Sequence, residues 1–249
     1  MITVDLNSDL GESYGRYSLG KDAEIIKLVS SVNIACGFHA GDPDVMAKTV
    51  KMAEANNTSI GAHPGFPDLQ GFGRRAMAMS PAEIKNMIIY QIGALQAFTA
   101  KGRLHHVKPH GALYNLAAQD HNLALAICSG IQSVDPELPI YGLANSQLII
   151  AAKEIGLPYA QEVFADRNYR ADGSLVSRSQ ANAIITDPMI IANRVVEMIK
   201  KQSIQAVDGT NISLVVDSIC VHGDNQSALE IVKKLVSVLK IEGITMKSF

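Results

Sequence analysis

The chain has 249 residues, 47% of them hydrophobic, enough to bury a sizeable core and to exclude a disordered segment. Lys and Arg number 22 against 24 Asp and Glu, a net charge of -2, so no basic stripe awaits a nucleic-acid backbone or an anionic membrane. A small molecule is the expected partner. Cys36, Cys128 and Cys220 are odd in number and lack a CxxC pair, which argues against a disulfide framework or a cysteine zinc knuckle and fits reduced thiols. The opening MITVDLNSDL has neither the basic start nor the apolar stretch of a signal peptide, and no apolar run reaches membrane-spanning length. A cytoplasmic protein is expected.

In chain order, strand patterns at 2–6, 31–36, 58–62, 105–109, 139–143, 159–164 and 213–221 alternate with helical patterns at 22–29, 43–55, 81–101, 121–133, 146–155, 188–201 and 225–240. Ser80-Pro81-Ala82-Glu83 combines an N-cap, a first-turn Pro and a capping-box Glu, while Asp42-Pro43 and Asp187-Pro188 repeat the cap-then-Pro start. Strict alternation implies a parallel sheet with right-handed crossovers, and so many units in this length favour closure over an open sheet. No linker or charge block divides the chain. The expected fold is α/β, a single-domain seven-stranded parallel (β/α) barrel over residues 1–249.

Polar residues recur where these strands would end. Residues two apart on a strand share a face, and reactive groups in such barrels gather where strands run into loops. The first strand continues through Asp5, Asn7 and Asp9, all of one parity, to Glu12; the second leads through Asn33 and Gly37 to His39 and Asp42. The third carries Ser59, Gly61 and His63, and the fourth His106, Lys108 and His110 in alternation. The sixth brings Glu162, with Asp166, Arg167 and Arg170 after it, and the seventh Cys220, His222 and Asp224, whereas the fifth ends only in the amide of Asn145. Unpaired buried charges are costly, so this convergence points to a solvent-reachable pocket with shifted pKa values.

Several of these groups also have structural uses. Asp42 and Asp224 suit helix caps, and Asp5, inside its strand, suits an internal hydrogen-bond partner, which makes Asp9 and Glu12 the better reagents. His105 is expected on the solvent side of His106 and His121 on the surface, while His39, His63, His110 and His222 sit at strand ends and are expected to function. The loop from Gly61 to Arg75 is expected to cover the pocket and set Arg74 or Arg75 on an anion; Gly37 to Pro43 offers backbone N–H groups and a helix N-terminus for another. Gly15 to Asp22 has P-loop spacing, but Asp22 replaces the hydroxyl that would hold magnesium, so it reads as a turn.

Two chemistries are compatible with this set. Asp9, His39 and His63 could hold a divalent metal with positions open to water. Without metal, Asp9 or Glu162 serves as general base, His222 as general acid, and Lys108 with His110 stabilises an oxyanion. Both are hydrolytic. Cys36 leaves a covalent thiol route open.

The segments VDLNSDLGES, NIACGFHAGDP, GAHPGFPD with GFGRR, HVKPHGALYN, EVFADRNY and ICVHGD resemble, in order and over essentially the whole chain, the LamB/YcsF family, described as the A subunit of prokaryotic 5-oxoprolinase. The resemblance implies a barrel related to the glycoside hydrolase/deacetylase barrels. It also implies ATP-dependent opening of 5-oxo-L-proline to L-glutamate together with subunits B and C. ATP, with Mg2+, is then expected to sit at least partly on the partner subunits, and phosphorylation of the amide oxygen would create the electrophile. In that reading Arg74, Arg167 or Arg178 pairs with the substrate carboxylate, with Asn7 and Glu12 as further substrate contacts. Lys108 neutralises developing charge, Asp9 or Glu162 activates water, and His222 protonates the departing nitrogen. The rival readings are a metal-dependent deacetylase or carbohydrate hydrolase built on Asp9, His39 and His63, and a non-catalytic subunit that holds 5-oxoproline for its partners.

Overall fold

The computed structural model describes residues 2–223 and 227–249; Asp224 therefore lies outside the described residues. Among these, the strands in chain order are β1 (Thr3–Leu10), β2 (Ser31–Ala35), β3 (Ser59–His63), β4 (His106–Val107), β5 (Ile140–Leu143), β6 (Tyr159–Phe164), β7 (Ser203–Gln205), β8 (Asn211–Ser213), β9 (Ser218–His222) and β10 (Thr245–Met246). Strands β1 to β6 and then β9 are neighbours in sequence order and all parallel. Pairing of β9 with β1, from Asp5 opposite Ser218 to Asp9 opposite His222, closes the seven-stranded barrel. β10 lies parallel to the start of β1, and β7 and β8 form a separate antiparallel hairpin.

The helices are α1 (Asp22–Ile25), α2 (Pro43–Ala55), α3 (Pro81–Gln96), α4 (Gly111–Ala117), α5 (His121–Val134), α6 (Gln147–Ile155), α7 (Pro188–Lys201) and α8 (Ala228–Ile241). Alternation on β1 separates two environments. Val4, Leu6 and Leu10 join the apolar core shared with the helices, whereas Asp5, Asn7 and Asp9 bond to groups across the lumen. Burying each Leu, Ile or Val of that outer layer contributes about 1.5–3 kcal/mol, which offsets a polar lumen provided the lumen satisfies itself.

The caps read from sequence are in place. Asp42 accepts from the N–H groups of Asp44 and Val45, Asp187 from those of Met189 and Ile190, and Ser80 with Glu83 completes a capping box. Several boundaries differ from expectation, each for a local reason. β1 runs on to Leu10 because its polar residues are paired inside the barrel rather than exposed. The run 213–221 splits into β8 and β9, because Gln202, in a left-handed conformation at the end of α7, draws the Leu214 and Val216 N–H groups to its carbonyl and side chain. α3 stops at Gln96, whose side chain bonds the Gly102 carbonyl, and α1 is a single turn. The short helix α4 was not foreseen.

Candidate functional site

Asp5 forms the base of the polar network. Its carboxylate accepts from the hydroxyls of Ser30 at 2.5 Å, Ser31 at 2.8 and 2.9 Å and Ser218 at 2.5 Å. Fully engaged in this way, it is the internal partner its place in the strand suggested.

Further along β1 the network centres on Lys108, just past β4 and 1% exposed. Its Nζ donates to Asn7 Oδ1 at 3.2 Å, Asp9 Oδ1 at 3.0 Å and Cys220 Sγ at 2.9 Å, and lies 3.0 Å from Glu162 Oε1. Asn33 Nδ2 bridges Asn7 Oδ1 and Asp9 Oδ1, each at 2.7 Å, and its own carbonyl accepts from His106 Nε2. Tyr114, on α4, donates to Glu162 Oε2 at 2.8 Å. Burial works against the Lys108 ammonium, but Asp9, Cys220 and Glu162 outweigh it and hold its pKa well above the usual lysine value. Burial likewise favours a protonated Asp9, yet His63 and Lys108 hold that carboxyl well below the ordinary range. The centre is therefore a charged Lys108 against ionised Asp9.

His63, the last residue of β3, meets His39 and His110 from the segments after β2 and β4 beside it. His63 Nδ1 donates to the Lys108 carbonyl at 2.7 Å and His110 Nε2 to the Phe72 carbonyl at 2.8 Å, which turns His63 Nε2 and His110 Nδ1 toward each other at 2.9 Å. Glu12 Oε1 stands 3.4 Å from both His110 Nδ1 and His39 Nε2, and Asp9 Oδ2 stands 3.5 Å from His63 Nε2. The His39 ring stacks on His110 at 3.7 Å. Burial, with neighbouring imidazoles, holds His39 and His110 well below the usual histidine pKa. Gly73 makes this packing possible: its φ is +64°, and a Cβ there would fall 2.7 Å from His39 Cβ and 2.8 Å from His110 Cδ2.

A cavity of about 540 Å³, the size of a small-molecule pocket, opens on this centre. Asp9, His63, Lys108, His110, Phe164 and His222 line it together with Arg74, Arg167, Arg170 and Arg178. Arg167 is 4% exposed; its Nη2 donates to the Val176 carbonyl, while its Nε has no hydrogen-bond partner among the described residues. Burial, then the nearby Arg178, brings its pKa down to about 10, which leaves a desolvated cation at neutral pH that an incoming anion would stabilise. His222 Nδ1 lies 3.0 Å from Asp166 Oδ1, and its ring stacks on Phe164. Burial alone would raise the Asp166 carboxyl, but His222, Arg178 and Arg167 bring it below its ordinary value.

Of the residues singled out from sequence, Asp9, His63, Lys108, His110, His222, Arg74, Arg167 and Arg178 thus line one cavity. Asn7, Glu12, His39 and Glu162 do not line it; they are buried behind it, and the amide of Asn7 is committed to Asn33, Lys108, Glu162 and Ser218. Arg75 turns away to pair with Asp68. The turn before α2 offers no anion seat, because Asp42 occupies the helix N-terminus and Gly37 and Gly41 bond backbone carbonyls. Asp22 accepts from the Gly11 N–H, and the backbones of Tyr14 and Tyr17 bond across a turn at the start of the P-loop-like segment. Cys36 is buried, and its thiol is pushed up to about 12, so it supplies no thiolate at neutral pH. Tyr114 was not picked out from the sequence; its only signal was its place four residues after His110, one helical turn beyond a strand end.

Fold and site together define a (β/α) barrel protein with an ionised Lys–Asp centre and an arginine-lined cavity at the C-terminal ends of its strands. The chain belongs to the LamB/YcsF family, which it matches over residues 4–249. It is 60% identical over 248 residues to the 5-oxoprolinase A subunit of Limosilactobacillus fermentum, covering 100% of both chains. The crystal structure of a lactam utilization protein from Thermus thermophilus superposes with a TM-score of 0.94 at 43% identity, covering 100% of each chain. A family 4 carbohydrate esterase from Streptomyces lividans shares the barrel, with a TM-score of 0.52 at 11% identity over 98% of this chain and 91% of that one. Among the described residues no helix is long and apolar enough to cross a membrane.

Proposed function

We propose that this chain is the A subunit of a 5-oxoprolinase and opens the ring of 5-oxo-L-proline to L-glutamate by hydrolysis coupled to ATP, working with subunits B and C. The observation that carries the reading is the meeting of Lys108 and Asp9 with Arg74, Arg167 and Arg178 in one cavity, in a chain so similar to relatives named for that activity. A lactam is resonance-stabilised and its amine is a poor leaving group, so it needs activation, charge neutralisation and a proton donor together.

The residues divide those tasks. The guanidinium groups of Arg74, Arg167 and Arg178 hold the substrate carboxylate, and with Arg170 they exceed what one carboxylate requires, leaving capacity for a phosphoryl group on the activated amide oxygen. Lys108 neutralises charge that develops on that oxygen. Asp9, ionised and facing the cavity, takes the proton from attacking water; Glu162, sealed behind Lys108 and bonded to Tyr114, keeps the lysine charged instead. His222, oriented through Nδ1 by Asp166, gives its Nε2 proton to the departing nitrogen. ATP with Mg2+ is a co-substrate whose site lies on, or is completed by, a partner subunit.

Glutamate formation from 5-oxoproline and ATP, measured in the reconstituted three-subunit complex, tests this. Wild type is expected to be active only with its partners, and Lys108→Ala and His222→Ala to be inactive. Full activity in both variants would remove the roles assigned to these two side chains.

A further inference from the structure

We infer that His39, His63, His110 and Glu12 form a closed binding site for one divalent transition-metal ion, of which zinc suits the donor set best. A backbone carbonyl can only accept, so the Lys108 carbonyl fixes hydrogen on His63 Nδ1 and the Phe72 carbonyl fixes it on His110 Nε2. In neutral rings the other two nitrogens then carry bare lone pairs, and they face each other at 2.9 Å. Two lone pairs at that separation repel unless something positive lies between them. The carbonyl bonds are also the usual outer support that orients metal-binding imidazoles.

A second observation is independent of that pair. His39 is fully buried, neither of its ring nitrogens has a hydrogen-bond partner among the described residues, and its Nε2 points at Glu12 Oε1 from 3.4 Å. Zinc–ligand bonds of about 2.1 Å place neighbouring donors of a tetrahedron about 3.4 Å apart. The Glu12 oxygen stands at 3.4 Å from the nitrogens of both His39 and His110, and all four donor atoms lie within 4.8 Å of one another. The His39 ring lies parallel to His110 at 3.7 Å, so shared ligation requires His39 to turn out of that stack. Three imidazoles and a carboxylate suit zinc, cobalt or nickel better than magnesium or calcium.

The site differs from the Asp9, His39 and His63 set read from sequence. Asp9 Oδ1 is taken by Lys108 and Asn33, while Glu12 and His110 complete the donors. Four protein ligands leave no position for water, so the ion would act as a clasp rather than a source of hydroxide. It would tie the end of β3, which carries His63, to the segments after β1, β2 and β4, which carry Glu12, His39 and His110. This inference does not depend on the ring-opening reading.

The test uses the full chain stripped with a chelator. Cobalt titration should show one ion per chain with the intense visible bands of tetrahedral coordination, and zinc should displace it and raise the unfolding temperature. His110→Ala and Glu12→Gln should each weaken cobalt binding at least tenfold, the scale reached by losing even outer-shell support. Absence of binding by the folded wild-type chain at micromolar metal, or wild-type affinity in both variants, would overturn the site. If neither variant folds, nitrogen NMR of wild-type histidines decides: zinc-induced shifts at His39, His63 and His110 support it, and unshifted resonances overturn it.

Discussion

Lys108 sits between two buried carboxylates, with Asp9 Oδ1 and Glu162 Oε1 each 3.0 Å from its Nζ. Lys108→Met keeps the aliphatic stem and removes the charge. Stranding buried carboxylates in this way costs about 3–5 kcal/mol, so urea unfolding should show a destabilisation of that order along with lost ring opening. Unchanged stability would mean that the pairing is not there. Asp166 permits a pH test. Its folded pKa lies below its ordinary value of 3.8, so its contribution is present above that value and is lost as pH falls through the folded pKa. Asp166→Asn should therefore be less stable than wild type near pH 7, and the gap should close as pH falls below 3.8 and through the folded pKa. It should also lower kcat more than it raises KM, because an unoriented His222 still permits binding. Parity alone placed Asp5, Asn7 and Asp9 on one face. Depth was not legible: Asn7 and Glu162 face inward like Asp9, yet bonds to Ser218 and Tyr114 seal them off, and such partners come from distant strands and loops.

Among the elements, those whose ends are fixed by side chains were the most legible, because a cap acts within three residues and needs no tertiary context. Asp187 is an example, accepting from Met189 N and Ile190 N at 2.8 and 2.9 Å. Asp187→Ala should cost about 1 kcal/mol and lower Tm by about 2–4 °C in calorimetry, with activity intact. An unchanged Tm would show that the cap contributes nothing. Elements decided by the barrel interior were harder to read: the end of β1 looks like a loop because its polar residues satisfy one another only after the barrel closes. The turn carrying Phe72 and Gly73 belongs to the same class. Gly73→Ala forces a side chain into a left-handed conformation and against both His39 and His110. Backbone strain of this kind costs about 1–3 kcal/mol. The variant should fold but lose the His110 bond to the Phe72 carbonyl, visible as a changed His110 resonance in NMR; an unaltered resonance would place the turn elsewhere.

At the scale of the whole molecule, the chain has a cavity lined by four arginines, and its P-loop-like segment offers a nucleotide no phosphate cradle. The glycine and lysine spacing between Gly15 and Asp22 is the nearest approach to a phosphate loop, and Asp22 places a carboxylate there, bonded to the Gly11 N–H. A carboxylate repels phosphate where a P-loop would attract it. The arginines of the cavity instead suit a small anion. The isolated chain should therefore bind 5-oxoproline or inorganic phosphate in calorimetry, more weakly as salt rises, since screening acts on the rim charges of Arg74 and Arg170. It should show no micromolar affinity for ATP. Adding subunits B and C should create that affinity and, with it, glutamate formation. Micromolar ATP binding by the chain alone would move the nucleotide site onto this barrel and make the partners something other than its completion. Loss of phosphate binding in Arg167→Met, with ATP binding by the assembled complex retained, would separate the two sites. Loss of both in that variant would merge them into one.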